Sequence, residues 1–146
     1  MSIFDFNALL SSNLAAHDTR RTPLPQADAV MAQLGKPTFQ SGTGKDGGTW
    51  LKLNVTCSIT DTDFLARASR ERAMITYGVM LDVQNGAIAL GENANIKLGK
   101  LRAAAGVNGQ SLDRLEGQFI LIKIGHRPDS TDPSIVYDEV IGVAKP

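Results

Sequence analysis

Residues 50 to 59, WLKLNVTCSI, alternate without a break: Leu51, Leu53, Val55, Cys57 and Ile59 fall on one side, and Trp50, Lys52, Asn54, Thr56 and Ser58 on the other. Side chains of an extended chain point to opposite faces with period 2, whereas a helix would scatter these apolar positions around its circumference. The segment is therefore a strand with one face on a core, and such a strand needs partners in a sheet. The alternation also poses a question, because the only tryptophan of the chain stands on the polar side.

The flanking sequence supplies the partners. Residues 27 to 34, ADAVMAQL, predict a first strand, and SGTGKDGG (41 to 48), rich in glycine, predicts a mobile hairpin tip that leads into the Trp50 strand. Residues 61 to 72 are polar and fit a helical turn or a loop. AMITYGVMLDV (73 to 83) reads as a third strand in which Gly78 predicts a bulge or bend, and Asn85-Gly86-Ala87 supplies a turn. ENANIKLGKLRAAAG (92 to 106) predicts a helix. Asn93 or Asn95 can cap it, Leu98, Leu101 and Ala105 share a stripe, and Gly106 suits the left-handed residue after its end. Gly99 within it costs about 1 kcal/mol relative to alanine, which predicts close packing at that point. Two more strands, 118 to 126 and 134 to 144, flank the turn segment RPDSTDP.

Three strands, a helix and two strands is the layout of the OB-fold. The expected fold class is mainly β: an OB-like five-stranded Greek-key barrel with one helix between strands 3 and 4, plus an N-terminal arm. The arm spans residues 1 to 25 and a single barrel domain 26 to 146. Pro23 and Pro25 close the arm, and Ile3, Phe4, Phe6, Leu9 and Leu10 are too apolar to float free. They are expected to pack on the domain itself or on a neighbouring subunit.

At 146 residues the chain fits one domain. No apolar run approaches the roughly 20 residues of a spanning helix, so no membrane partner is expected, and the acidic start of the N-terminus does not read as a signal peptide. An intracellular product is expected. Cys57, the single cysteine, excludes a disulfide framework and reads as a small core residue. Fifteen basic and fifteen acidic side chains cancel, so any affinity for nucleic acid must come from a local patch. Gly44-Lys45 lacks the framework of a phosphate-binding loop, since Phe39 and Asp46 occupy the positions that would need glycine and Ser or Thr.

No catalytic constellation is found. His17 and His126 lie far apart, and no metal-ligand cluster, hydrolase elbow or cofactor motif is present. The expectation is a non-enzymatic protein with no metal and no cofactor. Binding residues are easier to nominate. Trp50, Lys52 and Asn54 on one strand face would make a stacking platform with a cation beside it, and Lys45 on the glycine-rich tip could fold over it. Covering of Trp50 by the arm or by a subunit neighbour fits the residues equally well. Arg67, Arg70 and Arg72 are candidate phosphate contacts, or a solvated segment paired with Asp61, Asp63 and Glu71. His126 and Arg127 at a strand end would face a ligand groove or bond to the adjacent loop.

GENANIKLGKLRAAAGVNG (91 to 109), LEGQFILIKIGHRPD (115 to 129) and IVYDEVIGVA (135 to 144) together resemble small bacteriophage proteins of an OB-fold, single-stranded-DNA-binding-like family. Its pattern is an LGxLRxAxGxN helix, an L-x-G strand, a His-Arg turn and a Tyr-x-Glu-Val strand. MSIFDF and PLPQADA look like the same group. The resemblance covers most of the chain and rests mainly on fold-forming residues: Leu98, Gly99, Leu101, Gly106 and Gly117. It implies non-catalytic binding of single-stranded DNA in phage replication or recombination, in the host cytoplasm, by a homo-oligomer. The chain ends in Gly-Val-Ala-Lys-Pro where such proteins often carry an acidic run. The alternative is a virion component, such as a capsid decoration or stabilising protein, that meets capsid neighbours through its arm.

Overall fold

A computed structural model describes residues 3–11, 22–89 and 93–146. The fold is mainly β and antiparallel. Its elements are helix α1 (Phe6–Leu10), strands β1 (Ala27–Leu34), β2 (Thr38–Thr43) and β3 (Thr49–Ile59), helix α2 (Thr62–Arg67), strands β4 (Met74–Leu81), β5 (Val83–Gln84) and β6 (Ala87–Ile88), helix α3 (Ile96–Ala105), a 3-10 turn at Leu112–Leu115, and strands β7 (Phe119–Pro128) and β8 (Val136–Ala144).

The alternation in β3 translates directly into burial. Leu53, Val55, Cys57 and Ile59 lie in the core, while every second residue remains partly open to solvent. β4 repeats the pattern, with Ile75, Tyr77, Val79 and Leu81 buried. The two strands pair without interruption from Leu51↔Leu81 to Ser58↔Met74. Gly78 therefore marks no bulge. It lies opposite Asn54, and a Cβ there would fall on the Lys52 side chain, so its function is to let that side chain lie flat.

The other edge of β3 is shared by two strands. β2 pairs with Thr49 to Asn54, and the end of β1 pairs with Cys57 to Ile59. Between them, the Leu34 N–H bonds Gln118 O at 2.8 Å and the Gly35 N–H bonds Thr56 O at 2.8 Å, so the chain passes from one neighbour to the other within two residues. Pro37, which has no N–H to donate, separates the halves. β2 is an addition to the predicted strands. All of it but Gly42 is exposed, so it has no buried face and leaves no periodic apolar signal.

β1 pairs on its far side with β7, and β7 with β8. Both ladders slip in register, between Ala27 and Val30 and between Lys123 and Ile124, as β-bulges that bend a sheet. β4 and β8 approach one another without ladder bonds among the described residues, so the sheet is not closed. Helix α3 packs across β8, β7 and β4 through Leu98, Leu101, Ala104 and Ala105. The close packing expected at Gly99 is absent: the residue is exposed, and a Cβ there would meet nothing within 4 Å.

Asn95 precedes α3 in a left-handed conformation (φ 55°), and its side chain does not cap the helix. Instead its Oδ1 accepts the Asp82 N–H at 2.6 Å, and its Nδ2 donates to Asp82 O and to Ala89 O. Its own N–H donates to Asp82 Oδ2 at 2.8 Å. One asparagine thus ties the end of β4 and the β5–β6 ribbon to the start of the helix. The polar stretch after β3 is α2, whose N-terminus is capped by Asp61 and whose Phe64 is buried.

The approach to β1 is anchored before the strand begins. Leu24 is buried, its N–H donates to Asp138 Oδ2 at 2.7 Å, and its carbonyl accepts from His126 Nε2 at 2.6 Å. His126 and Asp138 are cross-strand partners on β7 and β8. Farther upstream, Ile3, Phe4, Phe6, Leu9 and Leu10 are all exposed, Ile3 to 91%.

Candidate nucleic-acid interface

The outward face of β2, β3 and β4 is built by cross-strand register. Gly42 stands opposite Trp50, Gln40 opposite Lys52 and Thr38 opposite Asn54. On the other side, Met80 faces Lys52, Gly78 faces Asn54 and Thr76 faces Thr56. Three of the nominated residues, Trp50, Lys52 and Asn54, therefore share one surface.

Two glycines shape that surface. A Cβ at position 42 would lie 2.5 Å from Trp50 Cζ2 and 2.7 Å from Cε2, so the indole rests on the bare backbone of Gly42. Lys52 occupies the equivalent space over Gly78, with Nζ 3.0 Å and Asn54 Oδ1 3.2 Å from where a Cβ would be. Trp50 and Lys52 therefore each lie over a glycine of the neighbouring strand. The position of Trp50 among polar neighbours now has a physical reason: an aromatic ring laid over a cross-strand glycine covers backbone that would otherwise be wet. Asn54 Nδ2 donates to Gln40 Oε1 at 3.4 Å, which links the amides of the two strands. Met74 and Met80 are exposed on β4 and add flexible apolar area.

Lys45 stands on the β2–β3 turn at the Trp50 end of this face. The tip is hydrogen-bonded: Gly44 N–H to Gly48 O at 2.6 Å, Gly47 N–H to Gly44 O at 3.0 Å, and Gly48 N–H to Asp46 Oδ1 at 3.0 Å.

The nominated arginines lie elsewhere. Arg67, Arg70 and Arg72 follow the other end of β3, about 30 Å along the strand from Trp50 at 3.3 Å per residue. The Arg70 guanidinium donates to Thr22 O at 2.5 Å, and Arg67 lies over the Phe64 ring at 5.8 Å. Arg72 is exposed. Arg127, on the β7–β8 hairpin, sits 3.4 Å from Glu139 and 5.4 Å from the Tyr137 ring centroid. His126 donates to the Leu24 carbonyl in the segment leading into β1, not to the adjacent turn, and it also lines a groove with Gln26, Lys123 and Ile141.

The electrostatic features are structural in kind. Burial pushes the Cys57 thiol up to about 12, which removes it as a nucleophile near neutral pH. The Asp129 carboxyl is held well below its usual range by hydrogen bonds from Thr131, the Tyr137 hydroxyl and the backbone of Thr131 and Asp132. Among the described residues no group of His, Cys, Asp and Glu is placed to hold a metal ion, and no helix is long and apolar enough to cross a membrane.

Gln40, Gly42, Gly78, Met74 and Met80 also belong to this face. Period 2 in residues 74 to 81 would have revealed the β4 members. The β2 members leave no such trace, because their strand lacks a buried side. No protein-family model matches the chain, and no match is found among curated proteins.

Proposed function

We propose that the chain binds single-stranded DNA without catalysis, on the outward face of β2, β3 and β4. The observation that carries this reading is the indole of Trp50 lying on Gly42, with Lys52 laid over Gly78 beside it. A ring covered by Gly42 on one side has its other side to offer a base, and base–aromatic stacks contribute about 1 to 3 kcal/mol each without regard to sequence. Lys52 and Lys45 supply positive charge next to it, and the Gln40–Asn54 amides supply polar contacts.

The strand order supports an OB-type reading. Taking β1 and β2 as one bent strand, the order is β4, β3, β1/β2, β7, β8, with α3 inserted between β4 and β7. In OB-folds the face of the second and third strands takes oligonucleotides, and here those strands are β3 and β4. The bacteriophage resemblance supplies the setting, replication or recombination in the host cytoplasm.

The test is Trp50 emission during titration with an oligo-dT strand at about 50 mM and about 200 mM salt. Quenching that weakens at the higher salt supports the reading. An emission that no oligonucleotide alters at either salt rejects it.

A second reading follows from the N-terminal segment, where Ile3, Phe4, Phe6, Leu9 and Leu10 all face solvent in one chain. Such a segment fits an arm that packs on a neighbouring subunit of a virion. Deleting residues 1–21 leaves the Leu24 anchor intact, and on this reading it abolishes assembly. An oligomer unchanged by the deletion refutes it.

A further inference from the structure

We infer that the groove between α3 and the end of β8 is a phosphate-binding site, which on the reading above takes backbone phosphodiesters of the same DNA strand. The sequence nominated arginines for this role, but Arg70 and Arg127 are already engaged with Thr22 and Glu139. The cations without ion pairs among the described residues include Lys100 on α3 and Lys145 just after β8, and both line one groove of about 390 Å³.

The rest of the lining is Ala103, Ala104, Asn108, Val143 and Ala144, a floor of small side chains with one amide and no carboxylate. Local charge is equally one-sided. Residues 93 to 112 carry Lys97, Lys100 and Arg102 and no Asp or Glu, and residues 140 to 146 carry Lys145 and no Asp or Glu. The two lysines approach the groove from two different elements, Lys100 from α3 and Lys145 from beyond β8, while Arg102 lines a separate groove beside Ile88 and Ala89. Ammonium groups act as point charges suited to phosphate, and Asn108 adds neutral donors. The helix C-terminus nearby would repel an anion through its orphan carbonyls. Here the Gly106 N–H bonds Ala103 O and the Val107 N–H bonds Arg102 O, which blunts that effect.

The test uses the full chain and a Lys100→Gln/Lys145→Gln variant. Backbone amide spectra are recorded with inorganic pyrophosphate, and binding of an oligo-dT of about 30 nucleotides, longer than the roughly 4 to 16 that one barrel covers, is followed between about 50 and 200 mM salt. Pyrophosphate should shift amides at residues 100–108 and 143–145 in the wild type, and bind the variant at least about fivefold more weakly. Each phosphate contact on a single strand contributes about 0.7 to the slope of log affinity against log salt. Loss of two contacts lowers that slope by about 1.4, so the fourfold rise in salt weakens the variant about sevenfold less than the wild type.

Amides unmoved by pyrophosphate overturn the site, whether or not DNA binds. An unchanged slope in the variant overturns its contact with DNA. If pyrophosphate titrates the groove but the wild type binds no oligonucleotide, the phosphate site stands and the single-strand reading falls.

Discussion

Replacing Gly42 by alanine isolates the flat tryptophan from everything else on its face. Gly42 has no left-handed φ, so alanine fits its backbone, and a Gly→Ala change at a compatible site contributes about 0.4 to 1 kcal/mol of stability through the unfolded chain. The new methyl would stand 2.5 to 2.9 Å from the indole, against the roughly 3.5 to 4 Å of an ordinary carbon contact. The ring must therefore lift or tilt by about 1 Å. A displacement of that size forfeits about a quarter to a half of the contact energy of the pairs it separates. Applied to a stack of about 1 to 3 kcal/mol, this is about 0.3 to 1.5 kcal/mol, or roughly a 2- to 12-fold loss of affinity for oligo-dT. Trp50→Ala, which removes the stack altogether, sets the upper bound at about 5- to 150-fold. The assay is anisotropy of a labelled oligonucleotide, with urea midpoints measured in parallel. Wild-type affinity in Gly42→Ala, combined with a large loss in Trp50→Ala, would refute the argument that the glycine sets the ring's pose. A loss of folding in Trp50→Ala would instead make the ring structural.

Other changes test how the scaffold is held. Asp138→Ala removes a charged acceptor and strands the Leu24 N–H, so a loss of about 1.5 to 3 kcal/mol is expected in urea denaturation; a change under about 0.5 kcal/mol would mean that the clamp is dispensable. Asn95→Ala breaks the three side-chain hydrogen bonds that join Asp82 and Ala89 to α3 and leaves alanine at φ 55°. It should cost at least about 2 kcal/mol, with faster amide exchange in residues 82–89 as the local signature. Cys57 sets an alkaline limit. Its buried thiol keeps a proton that the unfolded chain releases, so this contribution is complete below pH 9 and is lost as pH rises through about 12. Between pH 8 and pH 10.5 the wild type should lose about 2 kcal/mol more than Cys57→Ala, and equal losses in the two proteins would contradict the burial argument.

The strands that bury one side are legible in the residues alone, because burial imposes period 2 on sequence: β3, β4 and β7 each alternate where they meet the core. Helix α3 is legible for the same reason, with Leu98 and Leu101 on one stripe and Gly106 at its left-handed end. β2 is hidden, since a strand without a buried side is under no such constraint. Glycines are legible as special but not in their role. Gly78 reads as a bulge or bend and Gly99 as a packing contact, whereas the first sits in an unbroken ladder and makes room for Lys52 across the sheet, and a Cβ at the second would meet nothing. At Gly78 what excludes a side chain is a neighbour distant in sequence, and only register reveals it. The same holds for the binding residues. Alternation alone places Trp50, Lys52 and Asn54 on one face, but whether a cation is free or engaged depends on long-range partners: Thr22 for Arg70, Glu139 for Arg127, Leu24 for His126. Local periodicity determined which side chains face out, and tertiary pairing decided which of them have a surface left to offer.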